Sequence, residues 1–203
     1  DMFVDRVSAA TGIDVTVLEE SEEARLTYLA AREILEANGI LEAKNVAVLE
    51  IGGGQTILLY IRNGRVTVAQ SFHTGALRTH ELVESGGGAG ARAKGVLKAY
   101  ATELIDQIQQ VIPREKISTL VVMGAGARFA AEHAAAETQG ADPRVILAPA
   151  AKLAELADRL APMSAASLVK AHKLTYQDAE TVAPAVMSIA QAARILKMRE
   201  VHI

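Results

Sequence analysis

The chain has 203 residues, a net charge of −3 and 50% apolar residues, with no cysteine, no tryptophan and only 3% aromatic residues. That composition fits one aliphatic, helix-rich α/β unit or slightly more and excludes disulfides, thiolate chemistry and Cys-type zinc sites. It disfavours nucleic acid, since neither a Lys/Arg stripe nor a stacking platform is present; any anion must be held locally, against a weakly acidic background.

No run approaches the ~18 apolar residues of a membrane span, and no basic segment precedes an apolar stretch at the start. The expectation is a cytoplasmic protein that contacts neither membrane nor nucleic acid. The first residue is Asp1 rather than Met, which reads as a piece cut from a longer protein.

Residues 2 to 11 predict a short helix with Phe3, Val4 and Val7 on one face. Ile13, Val15 and Val17 alternate with Asp14 and Thr16, a half-buried strand pattern. Ser21, Glu22 and Glu23 open a helix that runs to Asn38, with Ser21 as cap and the acids favoured by the helix dipole. Gly39 closes it.

Val46 to Ile51 is a strand, Gly52-Gly53-Gly54 a tight turn and Thr56 to Ile61 a second strand. Asn63-Gly64 signals a type I′ hairpin, and Val66 to Phe72 the third strand. Helices are predicted over 76–84 and 91–112, split by a glycine-rich loop at 86–90, with Pro113 past the second. Thr119 to Met123 is a buried-type strand; Gly124-Ala125-Gly126-Ala127 then leads into a helix to about 138. A short strand at 145–147, helices over 149–160, 164–172 and 176–197, and a strand at 200–203 complete the chain.

Three places carry chemistry. At Glu50-Ile51-Gly52-Gly53-Gly54-Gln55-Thr56, glycines without Cβ atoms can aim successive N–H groups into one concavity, an anion site. Glu50 at the strand end can hold a divalent cation, directly or through water. A hairpin that merely needs glycine is the plainer reading. Gly124-Ala125-Gly126 lies between a strand and a helix, where loop amides and helix dipole favour phosphate, although an ordinary βα turn needs small residues too. Glu22 and Glu23 are ordinary first-turn acids unless one reaches a water aligned on phosphorus. The histidines (His73, His80, His133, His172, His202) are scattered and form no metal triad in sequence. His73 and His80 flank Arg78.

The order of these pieces is more specific than any one of them. SEEARLTYL, VAVLEIGGGQTILLYIRNGRV, SFHTGALRTHEL, TLVVMGAGARFAAE and the helical tail LTYQDAETVAPAVMSIAQAARIL together resemble the exopolyphosphatase/guanosine pentaphosphate phosphohydrolase family over nearly the whole chain. The resemblance implies a ribonuclease H-like fold of the actin-like ATPase and sugar kinase superfamily, a mixed sheet flanked by helices. It implies that residues 1–20 are the last helix and strand of a truncated first actin-like domain and that 21–203 form the second.

It further implies hydrolysis of a phosphoanhydride, either inorganic polyphosphate or guanosine pentaphosphate, with magnesium as cofactor, and is compatible with a homodimer of the full-length protein. Carried over residue by residue, Glu23 is the carboxylate that orients or deprotonates the attacking water. Gly52, Gly53, Gly54, Gln55 and Thr56, with Arg78 and with Gly124, Ala125 and Gly126, bind phosphate, and Glu50 holds the metal. Three departures weaken the metal end: Glu50 replaces an aspartate, Gln55 a serine, and Ile57 an acid. Asp178 stands where an arginine is expected. A non-catalytic polyphosphate- or nucleotide-binding module of the same fold is therefore the rival, and a related sugar or acetate kinase a more distant one.

Overall fold

The computed structural model describes residues 2–86, 90–112, 117–134 and 144–203, with the side chain of Ala91 excepted. The elements run α1 (Met2–Thr11), α2 (Glu20–Ala37), β1 (Asn45–Ile51), β2 (Thr56–Arg62), β3 (Arg65–Phe72), α3 (Ala76–Ser85), α4 (Ala91–Val111), β4 (Thr119–Met123), α5 (Ala125–Ala134), β5 (Leu147–Pro149), α6 (Ala150–Leu160), α7 (Ala165–His172), α8 (Tyr176–Ile195) and β6 (Glu200–His202). The expected helix past 134 and the loop at 87–89 lie outside the described residues.

The six strands form one mixed sheet in the order β3-β2-β1-β4-β6-β5. β1, β2 and β3 make the antiparallel meander, whereas β1–β4 and β4–β6 are parallel. Asn63 and Gly64 both take positive φ, 49° and 74°, as a two-residue I′ turn demands. Gly39, at φ 66°, ends α2 in the left-handed conformation that glycine adopts without steric cost.

Strand periodicity divides the core between two faces. Ala47, Leu49, Ile51, Leu58 and Tyr60 pack under α3 to α8, while Val46, Val48, Ile57, Leu59 and Ile61 pack under α2 with Ala24, Ala31 and Leu35. Covering both faces explains why β1 and β2 read as nearly unbroken apolar runs rather than alternating ones. α8 is buried along 182–193 and forms the centre of the helical layer, as an all-round apolar helix must.

Three local expectations are corrected. Residues 13–17 form no strand: the segment between α1 and α2 is irregular, with Ile13 and Val17 60% and 70% exposed. Alternation supplies faces but no ladder partner, and none of the described strands lies beside it. Ser21 is not the cap of α2. The cap lies two residues earlier, at Glu19, with no side-chain capping bond, so Glu20, Glu22 and Glu23 all fall in the helix's first turn. The strand expected at 145–147 is shifted two residues, to Leu147–Pro149. Among the described residues no helix is long and apolar enough to cross a membrane.

Candidate active site

β1 and β4 are parallel neighbours with Glu50 opposite Met123, so the turns that follow them emerge side by side at the same end of the sheet. Carboxyl ends of parallel strands are where ligands settle in open α/β sheets. A Cβ on Gly124 would lie 2.6 Å from the Ile51 carbonyl oxygen, and Gly124 has φ 117°. Glycine is thus required there so that the second turn can abut the first.

The 52–55 loop is held by three sets of bonds. Gly52 N–H donates to the Gln55 carbonyl at 3.0 Å, closing the turn. The Gly52 carbonyl accepts from Ala76 N–H at 2.8 Å, and the Gly53 carbonyl from Leu77 and Arg78 N–H at 2.9 and 3.2 Å. The loop carbonyls therefore cap α3 and satisfy its orphan N–H groups. With the carbonyls drawn inward, the exposed N–H groups of Gly53 and Gly54 make no hydrogen bond among the described residues. They are a backbone donor pair open to an anion.

Gly75, which caps the start of α3, proves essential to this arrangement. A Cβ there would overlap the Gly53 carbonyl and the Gln55 N–H. The signal was available: a glycine stands at the helix start where a Ser, Thr or Asp cap would be usual. Gly75→Ala is expected to destabilise the protein by about 1–3 kcal/mol, the usual cost of overpacking, read as a lower denaturation midpoint with an unchanged m-value.

The carboxylates are sorted by their neighbours. Glu22 is taken by Arg25 in a two-pronged pair at 3.0 and 2.8 Å, and its pKa is lowered chiefly by that hydrogen bond. Glu23, one residue on, turns toward the sheet end, where the Gln55 side-chain amide donates to its Oε2 at 2.5 Å. Glu50 lies at the end of β1 with its carboxyl oxygens 3.5 and 3.7 Å from where a Gly52 Cβ would stand. Burial pushes the Glu50 carboxyl above the usual carboxylate range, and the nearby Glu23 charge pushes it further the same way. Glu23, Gln55, Glu50 and the glycine loop are thus one constellation.

Other expected site residues lie elsewhere. Thr56 is fully buried and donates its hydroxyl to the Thr74 carbonyl at 2.7 Å. It staples the hairpin to the segment before α3, its side chain on the sheet face opposite Glu50. The Arg78 side chain is exposed and lines a hollow with His73, Thr74, Tyr100 and Glu103. Gly126 is buried in the first turn of α5, where a Cβ would overlap that of Ala185 on α8; its smallness serves helix packing. Ala125 is exposed at the start of α5, and Ala125 and Gly126 border a hollow with Arg128 and Asp178. Ile57 is 1% exposed within the apolar cluster under α2.

Magnesium binds through one or two carboxylates, keeps several waters and takes further ligands from substrate phosphate. Two neighbouring carboxylates, one partly buried and raised by the other's charge, fit that requirement in a reduced form. Among the described residues no group of three or more His, Cys, Asp or Glu residues gathers to hold a metal by itself.

Comparison with known proteins gives a consistent outcome. A sequence model described as the Ppx/GppA phosphatase family matches residues 1–203. The fold matches a crystal structure of the Aquifex aeolicus member of the Ppx/GppA protein family with TM-score 0.70 and 18% identity, covering 99% of this chain and 63% of that one. An exopolyphosphatase from Cytophaga hutchinsonii matches with TM-score 0.71 and 16% identity, over 99% of this chain and 64% of that one. An exopolyphosphatase-like protein matches with TM-score 0.73 and 16% identity, over 96% and 62%. The chain therefore spans just under two thirds of the length of these structures. No curated protein matches it in sequence.

Proposed function

This chain belongs to the Ppx/GppA phosphatase family, and from that premise we propose that it is part of a hydrolase that releases the terminal phosphate of inorganic polyphosphate or of guanosine pentaphosphate. The single observation that carries the reading is the meeting of the Glu23 carboxylate, the partly buried Glu50 and the open N–H groups of Gly53 and Gly54 at one end of the sheet.

In this reading the loop N–H groups hold phosphate oxygens, and Glu23 orients a water on the terminal phosphorus and accepts its proton. Glu50 would hold magnesium, largely through water; when bound, the ion neutralises charge on the phosphate oxygens. Gly124, Ala125 and the first turn of α5 extend the donor surface. We place residues 1–20 with a first actin-like domain and 21–203 as the second. Support comes from α1, which buries none of its residues and leaves Met2 and Phe3 79% and 69% exposed. The working molecule is the full-length protein in the cytoplasm, compatible with a homodimer.

A binding module without turnover is the second reading, favoured by two observations. Gln55 already occupies Glu23, and Ile57 puts an apolar side chain where a further acid would assist a metal. The two readings separate in one experiment on the full-length protein: calorimetry with polyphosphate, followed by magnesium-dependent phosphate release. Binding with release supports the hydrolase; binding without release supports the sensor; no binding rejects both.

Gln55 is itself testable. A neutral hydrogen bond is worth about 0.5–1.5 kcal/mol net, so freeing Glu23 in Gln55→Ser is expected to raise kcat by about 2- to 10-fold. A fall in kcat would show instead that the amide positions the carboxylate usefully.

A further inference from the structure

We propose that His133 and His172 form a two-imidazole site for zinc or a similar divalent transition-metal ion, far from the glycine loop in chain position and independent of the phosphate-handling reading. His133 is at the end of α5 and His172 at the end of α7, so two helices that are separate in sequence deliver one ring each. His133 Nε2 and His172 Nδ1 face one another at 3.3 Å. That separation fits a hydrogen bond between the two rings, and it fits a shared metal ion equally well. It is the separation of two nitrogens that each sit about 2.0–2.1 Å from a single tetrahedral ion.

The rings are held in place beforehand. His133 Nδ1 lies 2.9 Å from the Phe129 carbonyl, a bond that places the proton on Nδ1 and leaves the Nε2 lone pair free. This outer partner, a backbone carbonyl on the far ring nitrogen, is what metal-ligating histidines usually have. The Phe129 ring, 7% exposed, stacks on His133 at 4.0 Å between centroids and meets His172 edge-on at 5.2 Å. Both imidazoles thus lean on one buried anchor. Arg159 lies close enough to His172 to act on it electrostatically. The Arg159 charge also opposes a dication, and no third His, Cys, Asp or Glu completes the set among the described residues. The remaining ligands are water, and the site is a weak one.

The test is zinc titration of the full chain near neutral pH, followed by thermal unfolding and by nitrogen-15 NMR of the imidazoles. With zinc at about a hundred times its dissociation constant, Tm should rise by roughly 5–10 °C. The His172 Nδ1 resonance should move to a metal-bound position while His133 Nδ1 stays protonated. His133→Gln and His172→Gln, each replacing a ring at the surface, should each abolish the shift, whereas Glu23→Gln should retain it. No zinc-dependent rise in the native chain, or a rise that survives in either histidine variant, overturns the proposal.

Discussion

Glu23→Gln in the full-length protein is expected to lower kcat for phosphate release by about 10²- to 10⁴-fold, the range that positioned general bases contribute. KM should change little, because in the proposed reading the glycine loop and not Glu23 holds the phosphate. The substitution is close to isosteric, and the side chain is partly exposed at the start of a helix, so the fold is not at risk. It does alter one contact: the Gln55 amide, which donates to Glu23 at 2.5 Å, would face another amide that can still accept through its oxygen. Geometry is therefore kept while the basic lone pair is lost. Full activity in this variant would remove Glu23 from the mechanism. Glu22→Gln is the matched control. Glu22 is committed to Arg25 at the surface, and its loss should leave kcat unchanged and stability close to that of the native chain, as for most exposed ion pairs.

Gly124→Ala should be strongly damaging at the sheet end, for reasons of shape alone. A side chain at φ 117° leaves the regions open to L-residues, which costs roughly 1–2 kcal/mol. The new Cβ would also stand 2.6 Å from the Ile51 carbonyl oxygen, which forces β1 and β4 apart at about 1–3 kcal/mol. Together these lower Tm by roughly 5–15 °C for a chain of this size. Gly54→Ala serves as reference: a Cβ there meets nothing within 4 Å and the residue has no positive φ, so its stability should stay near that of the native chain. Equal Tm values for the two variants would show that the turns do not abut as described.

Much of this architecture was legible from spacing. The hairpin at Asn63-Gly64, the strand over Thr119–Met123 and the long C-terminal helix all announce themselves through local chemistry: paired positive φ, β-branched residues in a short run, a 3.6-residue period. The failures have one cause. Residues 13–17 carry the period of a strand but find no ladder, since pairing is a property of two segments and periodicity of one. Thr56 joins the phosphate binders only through the family resemblance; the strand turns it to the opposite face, where it bonds Thr74. Gly126 was read as a loop residue, yet its requirement comes from Ala185, almost sixty positions away.

The sequence by itself determined most of the elements, their order and the family, because each is written in contiguous residues: propensity, turn glycines and motif order act over a few positions. Only the tertiary structure decided which groups share the site. It separated Glu22, held by Arg25, from Glu23, held by Gln55; it drew Glu50 beside Glu23 and raised its pKa; and it showed that Gly75 and the loop carbonyls fix which N–H groups stay open. Those outcomes depend on how β1, β4, α2 and α3 converge, and convergence is set by core packing between segments far apart in the chain, which no local pattern encodes.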